Sequence, residues 1–168
     1  LDCIVNVDAN PTLELESTPT VCPNVQIDLD DYATYNTGTL IWYSNQERTT
    51  VITDGLVTPT ERTTYYAKVT NGTCNPVENE FTVDVYGIPD EMPAYTSTPA
   101  TSCKETPNSD GTIALKNTIG YITYTLDGKE GDSNVWTRLS VGTHKLASTI
   151  NTCPSLTKEW DVEVGVED

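Results

Sequence analysis

Several residue types are scarce in this chain of 168 residues, and each scarcity excludes a class of function. There are only nine basic residues against 25 acidic ones, which gives a formal net charge of −16. Nucleic acid is therefore not expected as a partner, because little could neutralise its phosphates. No run of 18 apolar residues occurs, so we expect no membrane span and no direct membrane insertion.

Histidine is represented once, by His144, and no Cys-x-x-Cys motif is present. A structural zinc site built from cysteine and histidine is therefore not indicated. The five cysteines instead favour disulfide bonds, which form in oxidising compartments. We expect an extracellular protein that needs no cofactor, with calcium as the one ion left open.

The most informative feature that is present is a repeated spacing of cysteines. Cys22 and Cys74 are 52 positions apart, and Cys103 and Cys153 are 50 apart. The second pair follows the first at an offset of about 80 residues, which is typical of tandem modules. The spacing predicts the bridges Cys22–Cys74 and Cys103–Cys153, one in each module.

Short strands dominate the predicted secondary structure. Threonine, valine, isoleucine and tyrosine alternate with polar residues in runs bounded by Gly, Pro, Asn or Asp. We predict an all-β chain of two tandem immunoglobulin-like β-sandwiches. The predicted strands are Leu13–Glu16, Val25–Leu29, Leu40–Ser44, Thr50–Thr53, Thr64–Thr70 and Phe81–Tyr86, then Ala94–Ser97, Gly111–Leu115, Tyr121–Leu126, Val135–Leu139, Thr143–Ile150 and Lys158–Val164.

The domain boundaries follow from the fifth cysteine, Cys3. It precedes a short strand pattern, as Cys74 and Cys153 do, so we interpret residues 1–10 as the remnant terminal strand of a preceding module. Residues 11–88 then form the first immunoglobulin-like domain and residues 89–168 the second. On this interpretation the chain is an internal piece of a longer protein. The alternative leaves Cys3 in the first module, unpaired or linked to another chain.

Two kinds of candidate binding residue remain. Trp42 lies mid-strand and is expected in the core, whereas Trp136 follows a loop and is a candidate ligand contact that could stack on a sugar ring. Asp127, Glu130 and Asp132 form an acidic loop that is a candidate calcium site, although no EF-hand spacing is present. These residues match no known metal-binding motif, so beyond this calcium candidate we predict no metal site.

Catalysis is not expected. His144 lies within a predicted strand, where a packing role is more typical than a catalytic one, and small sandwiches lack the deep cleft that aligned catalysis requires. We therefore predict that the chain is not an enzyme and has no catalytic residues.

Several segments resemble modules of Bacteroidota surface proteins. Leu40-Ile-Trp-Tyr-Ser44 and Asn71-Gly-Thr-Cys74 resemble their immunoglobulin-like domains. Tyr121-Ile-Thr-Tyr-Thr-Leu-Asp-Gly128 is similar to the SprB-type repeat of gliding-motility adhesins, although His144 stands where that family has tyrosine.

The resemblance implies a non-catalytic stalk or spacer in a long adhesin at the cell surface, exported by type IX secretion and acting in adhesion or gliding. Its partners would be neighbouring modules of the same polypeptide, together with a surface glycan or protein. The alternative is a carbohydrate- or protein-binding module, which could be an accessory to an extracellular enzyme.

Overall fold

The chain folds into two compact units. The computed structural model describes residues 9–103 and 106–167, without the side chains of residues 102–107. The units are Leu1–Tyr86 and Gly87–Asp168, so the division falls two residues before the predicted boundary. Of the predicted remnant strand, residues 1–8 lie outside the described residues, and Ala9 and Asn10 belong to no strand.

Within its described residues, the first unit contains nine strands and two short 3-10 helices, at Leu29–Tyr32 and Thr53–Gly55. The strands are β1 (Leu13–Leu15), β2 (Thr20–Val21), β3 (Ile27–Asp28), β4 (Ala33–Tyr35), β5 (Thr39–Tyr43), β6 (Val51–Ile52), β7 (Leu56–Val57), β8 (Thr63–Thr70) and β9 (Val77–Val85). A five-stranded sheet has the order β2-β9-β8-β5-β6, and two smaller sheets pair β1 with β4 and β3 with β7.

The part of the second unit that the structure describes also contains nine strands. They are β10 (Tyr95–Thr98), β11 (Ser102–Cys103), β12 (Thr106–Pro107), β13 (Gly111–Leu115), β14 (Ile122–Leu126), β15 (Lys129–Glu130), β16 (Val135–Leu139), β17 (Gly142–Ile150) and β18 (Cys153–Val164). One sheet has the order β15-β14-β17-β18, a second the order β10-β13-β16, and β11 pairs with β12.

Each unit has its own hydrophobic core. In the first, Trp42 is 2% exposed and its ring meets that of Phe81 edge-on, with the ring centroids 6.0 Å apart. In the second, Leu146 and Ile150 are completely buried, and Val164 packs against Gly111 of the facing sheet. The predicted fold, an all-β chain of immunoglobulin-like sandwiches, is confirmed, and so is the core position of Trp42.

In each unit a segment near the beginning pairs in parallel with a segment near the end. In the first unit β2 pairs with β9, and the Tyr86 amide donates to the Val21 carbonyl at 2.9 Å. In the second, Ala100 forms a parallel bridge with Val166, and the Ala100 amide donates to the Gly165 carbonyl at 2.9 Å. The two units therefore share one way of connecting their ends.

The structure bears on the cysteines that the repeated spacing singled out. Cys22 and Cys153 are both disulfide-bonded. Cys74 Sγ also lies 3.6 Å from the Ala9 carbonyl oxygen. The bridges Cys22–Cys74 and Cys103–Cys153 stay predictions, because sequence spacing alone does not fix which sulfurs come within bonding distance. Cys3 and the side chain of Cys103 lie outside the described residues.

Candidate functional site

The acidic loop of the second unit is a tight hairpin between β14 and β15. Asp127 and Gly128 occupy its two central positions with φ values of 49° and 75°. Both angles are positive, as a type I′ turn requires, and the Asp-Gly sequence is favoured there. The Asp-Gly dipeptide is thus a local sequence signal for this turn. Glu130 lies on the short return strand β15, and Asp132 follows it in the next loop.

The Asp127 carboxylate is already engaged within the protein. Its Oδ2 lies 2.7 Å from His144 Nδ1, and its Oδ1 accepts from the Lys145 amide at 2.9 Å. The hydrogen bond from His144, and then the one from the Lys145 amide, lower the pKa of Asp127 despite its partial burial. The residue therefore anchors the hairpin to β17.

His144 is a structural residue of the buried sheet face. Its Nε2 lies 2.9 Å from the Ser140 carbonyl oxygen, so both ring nitrogens face acceptors. Burial opposes the charged ring, but the hydrogen bonds to Asp127 and Ser140, aided by the charges of Asp127 and Glu163, raise the pKa of His144 above its ordinary value. The side chain is 7% exposed, in keeping with the packing role predicted for it.

A cavity of about 520 Å³ lies beside this pair. It brings together Asp127, Glu130, Asp132, Trp136 and His144, which the sequence had singled out separately. Lys129 and Arg138 also line it, so charges of both signs surround the space. Across the described part of the chain, no three histidine, cysteine or acidic side chains converge into a set that could hold a metal ion. Calcium binding by Asp127, Glu130 and Asp132 stays a prediction.

Trp136 contributes little free surface to this cavity. Its side chain is 6% exposed, and its Nε1 donates to the Lys129 carbonyl at 2.8 Å. The indole packs so closely on Gly131 that an added Cβ there would lie 2.7 Å from the ring. This burial leaves little of the ring for stacking on a sugar, so the geometry favours a packing role.

Arg138 reaches the same cavity through an irregularity in β16. The pairing of β13 with β16 shifts register between Gly111 and Ile113, and Arg138 adopts a φ of 60°. Such a bulge re-aims one side chain out of the regular alternation. The sequence offered no signal for it, because no glycine marks the position.

Trp160 lines a different cavity, of about 210 Å³, and is only half-buried. Tyr124 and Ser148 also line it, and every lining residue belongs to the second unit. Neither Trp160 nor Ser148 was among the candidate site residues predicted from the sequence. The available signal was a serine at an inward position of β17, between Leu146 and Ile150.

Comparison with known proteins yields similar folds and no relatives in sequence. No family of known proteins matches the chain, and no curated protein matches it. The insect immune protein hemolin, described with implications for homophilic adhesion, is 12% identical over 94% of this chain and 47% of its own, with a TM-score of 0.41. Murine CEACAM1b is 13% identical over 94% of this chain and 100% of its own, with a TM-score of 0.36.

A third similar structure is the Bacteroides ovatus protein SGBP-B in complex with a mixed-linkage heptasaccharide. It is 12% identical over 95% of this chain and 48% of its own, with a TM-score of 0.33. The chain thus spans about half of the length of hemolin and of SGBP-B. At these identities and TM-scores the similarities carry no functional argument. Within the described ranges, the chain has no helix of the length and apolarity that a bilayer crossing requires.

Proposed function

We propose that this chain is a non-catalytic segment of a long extracellular adhesin, in which two immunoglobulin-like modules act as a disulfide-stabilised spacer. The finer proposal is the one that the sequence resemblance implies. The parent would be a Bacteroidota surface protein of the SprB type, exported by type IX secretion and acting in adhesion or gliding. Its immediate partners would be neighbouring modules of the same polypeptide.

The observation that carries the proposal is the parallel pairing, in both units, of a segment near the beginning with a segment near the end. When force pulls the two ends of a module apart, the hydrogen bonds between its parallel terminal segments are loaded in shear. They must therefore break together. Bonds at the open end of an antiparallel hairpin would instead break one after another. A spacer under tension benefits from the first arrangement, and both units have it.

The charge and the disulfides also support an exposed, extracellular spacer. A net charge of −16 favours solubility and limits association between neighbouring copies. Cys22 lies in the first unit and Cys153 in the second, and both are disulfide-bonded. A bridge limits how far an unfolded module can extend.

Single-molecule force spectroscopy tests the spacer role on the full chain held by its two ends. Replacing Ala100 with proline removes the amide that donates to Gly165, so the unfolding force of the second unit should fall. The first unit serves as the internal reference, because its own terminal pairing is untouched.

The matched control is Ile113→Val, a core truncation that costs about 0.5–1.5 kcal/mol without touching the terminal strands. At equal loss of stability, Ala100→Pro should lower the unfolding force more than Ile113→Val does. Equal reductions in force would contradict the spacer proposal, because the terminal pairing would then have no special mechanical role.

A second candidate function, a module that binds a glycan or protein, is favoured by the cavity beside Trp160. Glycan arrays and protein capture with the chain test it, and binding that Trp160→Ala abolishes would support it. If the module serves an extracellular enzyme, the reading frame that flanks the chain should encode a catalytic domain. Further sandwich repeats there would favour the spacer.

A further inference from the structure

The cavity beside Trp160 contains a buried polar atom that nothing in the protein satisfies. Ser148 is completely buried, and its Oγ has no hydrogen-bond partner among the described residues. Such groups are rare in folded proteins, because a buried polar atom loses its hydrogen bonds to water and gains none in exchange. Ser148 lines the cavity, so a ligand entering there could supply the missing partner.

The sheet places aromatic and apolar groups around this hydroxyl. Ser148 on β17 is in register with Tyr124 on β14 and with Lys158 on β18, so their side chains share one face. Trp160, two residues beyond Lys158, lies on the same face. Apolar walls complete the cavity, from Met92, Ile119 and Ile122.

Two further contacts fix the position of the indole and of the Tyr124 ring. Lys158 Nζ lies 5.7 Å from the centroid of the Trp160 ring and 2.8 Å from the Asp90 carboxylate. The Tyr124 hydroxyl accepts from the Ile119 amide at 3.2 Å, so that hydroxyl already has a partner. The Ser148 hydroxyl, by contrast, is buried and has no hydrogen-bond partner at all among the described residues.

The size and polarity of the cavity select a class of ligand. An apolar cavity of about 150 Å³ holds a benzene ring, so 210 Å³ accommodates a ring with one substituent. A sugar would bring several hydroxyl groups, and the apolar walls would leave most of them without partners. Glu91 and Asn117 line the cavity and are exposed, so it opens to solvent.

We propose that this cavity binds a phenol, as the tyrosine side chain of a protein partner, with its hydroxyl on Ser148 Oγ and its ring against Trp160. Buried aromatic anchors of this kind dominate the binding energy of many protein interfaces. The inference rests on the binding role given above as the second candidate function. It does not depend on the mechanical role of the terminal strands.

The experiment titrates the full chain with four probes and monitors binding by NMR. The probes are p-cresol, toluene, N-acetyl-tyrosine amide and methyl glucoside. The three indole N–H signals report the site directly. The signal of Trp160 should shift on binding, while those of Trp42 and Trp136, held by Asp30 and by the Lys129 carbonyl, should stay unchanged. We expect p-cresol to bind about five-fold more tightly than toluene, through one additional hydrogen bond.

Ser148→Ala should abolish this preference and leave toluene binding intact, whereas Ser155→Ala, at an exposed position of the neighbouring strand β18, should change nothing. Equal affinities of p-cresol and toluene for the wild type, or no shift at Trp160, would overturn the proposal. Binding of methyl glucoside in preference to p-cresol would also overturn it, in favour of a glycan. If p-cresol binds and N-acetyl-tyrosine amide does not, the proposal of a protein partner is overturned in favour of a free phenol.

These outcomes are separate from those of the force measurement. Loss of phenol binding leaves the predicted fall in unfolding force for Ala100→Pro unaffected. Conversely, if Ala100→Pro does not lower the unfolding force, the predicted binding of phenols in the Trp160 cavity is unaffected.

Discussion

His144 Nδ1 lies 2.7 Å from Asp127 Oδ2, and this contact ties the β14–β15 hairpin to the neighbouring strand β17. The other ring nitrogen faces the Ser140 carbonyl oxygen. Only the doubly protonated ring donates a hydrogen bond to both acceptors. Protonation of His144 is therefore coupled to the geometry of the turn that Asp127 forms.

The stability of the second unit should depend on pH with a maximum in mildly acidic solution. The pKa of His144 is raised above 6.5, so its contribution is complete below 6.5 and is lost as the pH rises through its folded-state pKa. The pKa of Asp127 is lowered from 3.8, so its contribution is complete above 3.8 and is lost as the pH falls through the folded-state pKa. Urea unfolding midpoints should be highest between these limits.

Two variants check the origin of this pH dependence. His144→Gln should flatten the loss of stability above pH 6.5, because glutamine does not titrate. Asp127→Asn keeps a residue that tolerates the turn and removes the charge. The dependence of stability on pH should therefore become weaker on both the acidic and the alkaline side of the maximum. An unchanged alkaline side in His144→Gln would contradict the assignment.

Trp42 should be a large contributor to the stability of the first unit. Its ring is buried against Phe81, and its Nε1 donates to Asp30 Oδ1 at 2.8 Å. Trp42→Ala should cost about 3–5 kcal/mol in the free energy of unfolding. Asp30→Asn keeps an oxygen acceptor and should cost far less. The prediction fails if denaturant titrations give the two variants similar losses.

The bridge of Cys153 should run to Cys103, as the repeated spacing predicts. Peptide mapping without reduction should recover these two residues in one cross-linked fragment. Cys103→Ser and Cys153→Ser should each destabilise the second unit by about 4 kcal/mol, the chain-entropy value for a loop of roughly 50 residues. The double variant should be no less stable than either single one. A fragment linking Cys153 to another cysteine would refute the pairing.

The bulge at Arg138 should be relieved by glycine and strained by a β-branched residue. Its φ of 60° lies in the left-handed region, where side chains cost about 1–2 kcal/mol and β-branched ones are the least tolerated. Arg138→Gly should therefore be neutral or stabilising, and Arg138→Val destabilising by about 1–2 kcal/mol. Thr137→Val, at the adjacent exposed position, is the control. Equal thermal midpoints for the two valine variants would argue against strain at Arg138.

The strands were predictable because local patterns specify them. Thr64–Thr70 and Thr143–Ile150 were predicted within one residue of β8 and β17, since alternation and flanking turn residues mark both. Two-residue strands such as β2 and β7 were not predicted. Each depends on its register with a distant strand, and two residues are too few to show an alternating pattern. The Asp127–Gly128 turn needed only its own sequence.

The candidate sites were less predictable, because they depend on what packs around each residue. Trp136 and Trp160 looked alike in sequence, yet the first packs on Gly131 and the second stays half-buried beside a cavity. Ser148 is one of many serines, and only its complete burial without a partner distinguishes it.

The outer residues of β18 bear on the tendency of the protein to aggregate. β18 is the last strand in its sheet, and Glu159, Asp161 and Glu163 project from its solvent face. If a second molecule were to add its own β18 antiparallel to this edge, carboxylates would lie near carboxylates, which is unfavourable. Neutralising these acids, by acidification or by substitution with glutamine and asparagine, would remove a built-in safeguard against fibril-like growth from this strand.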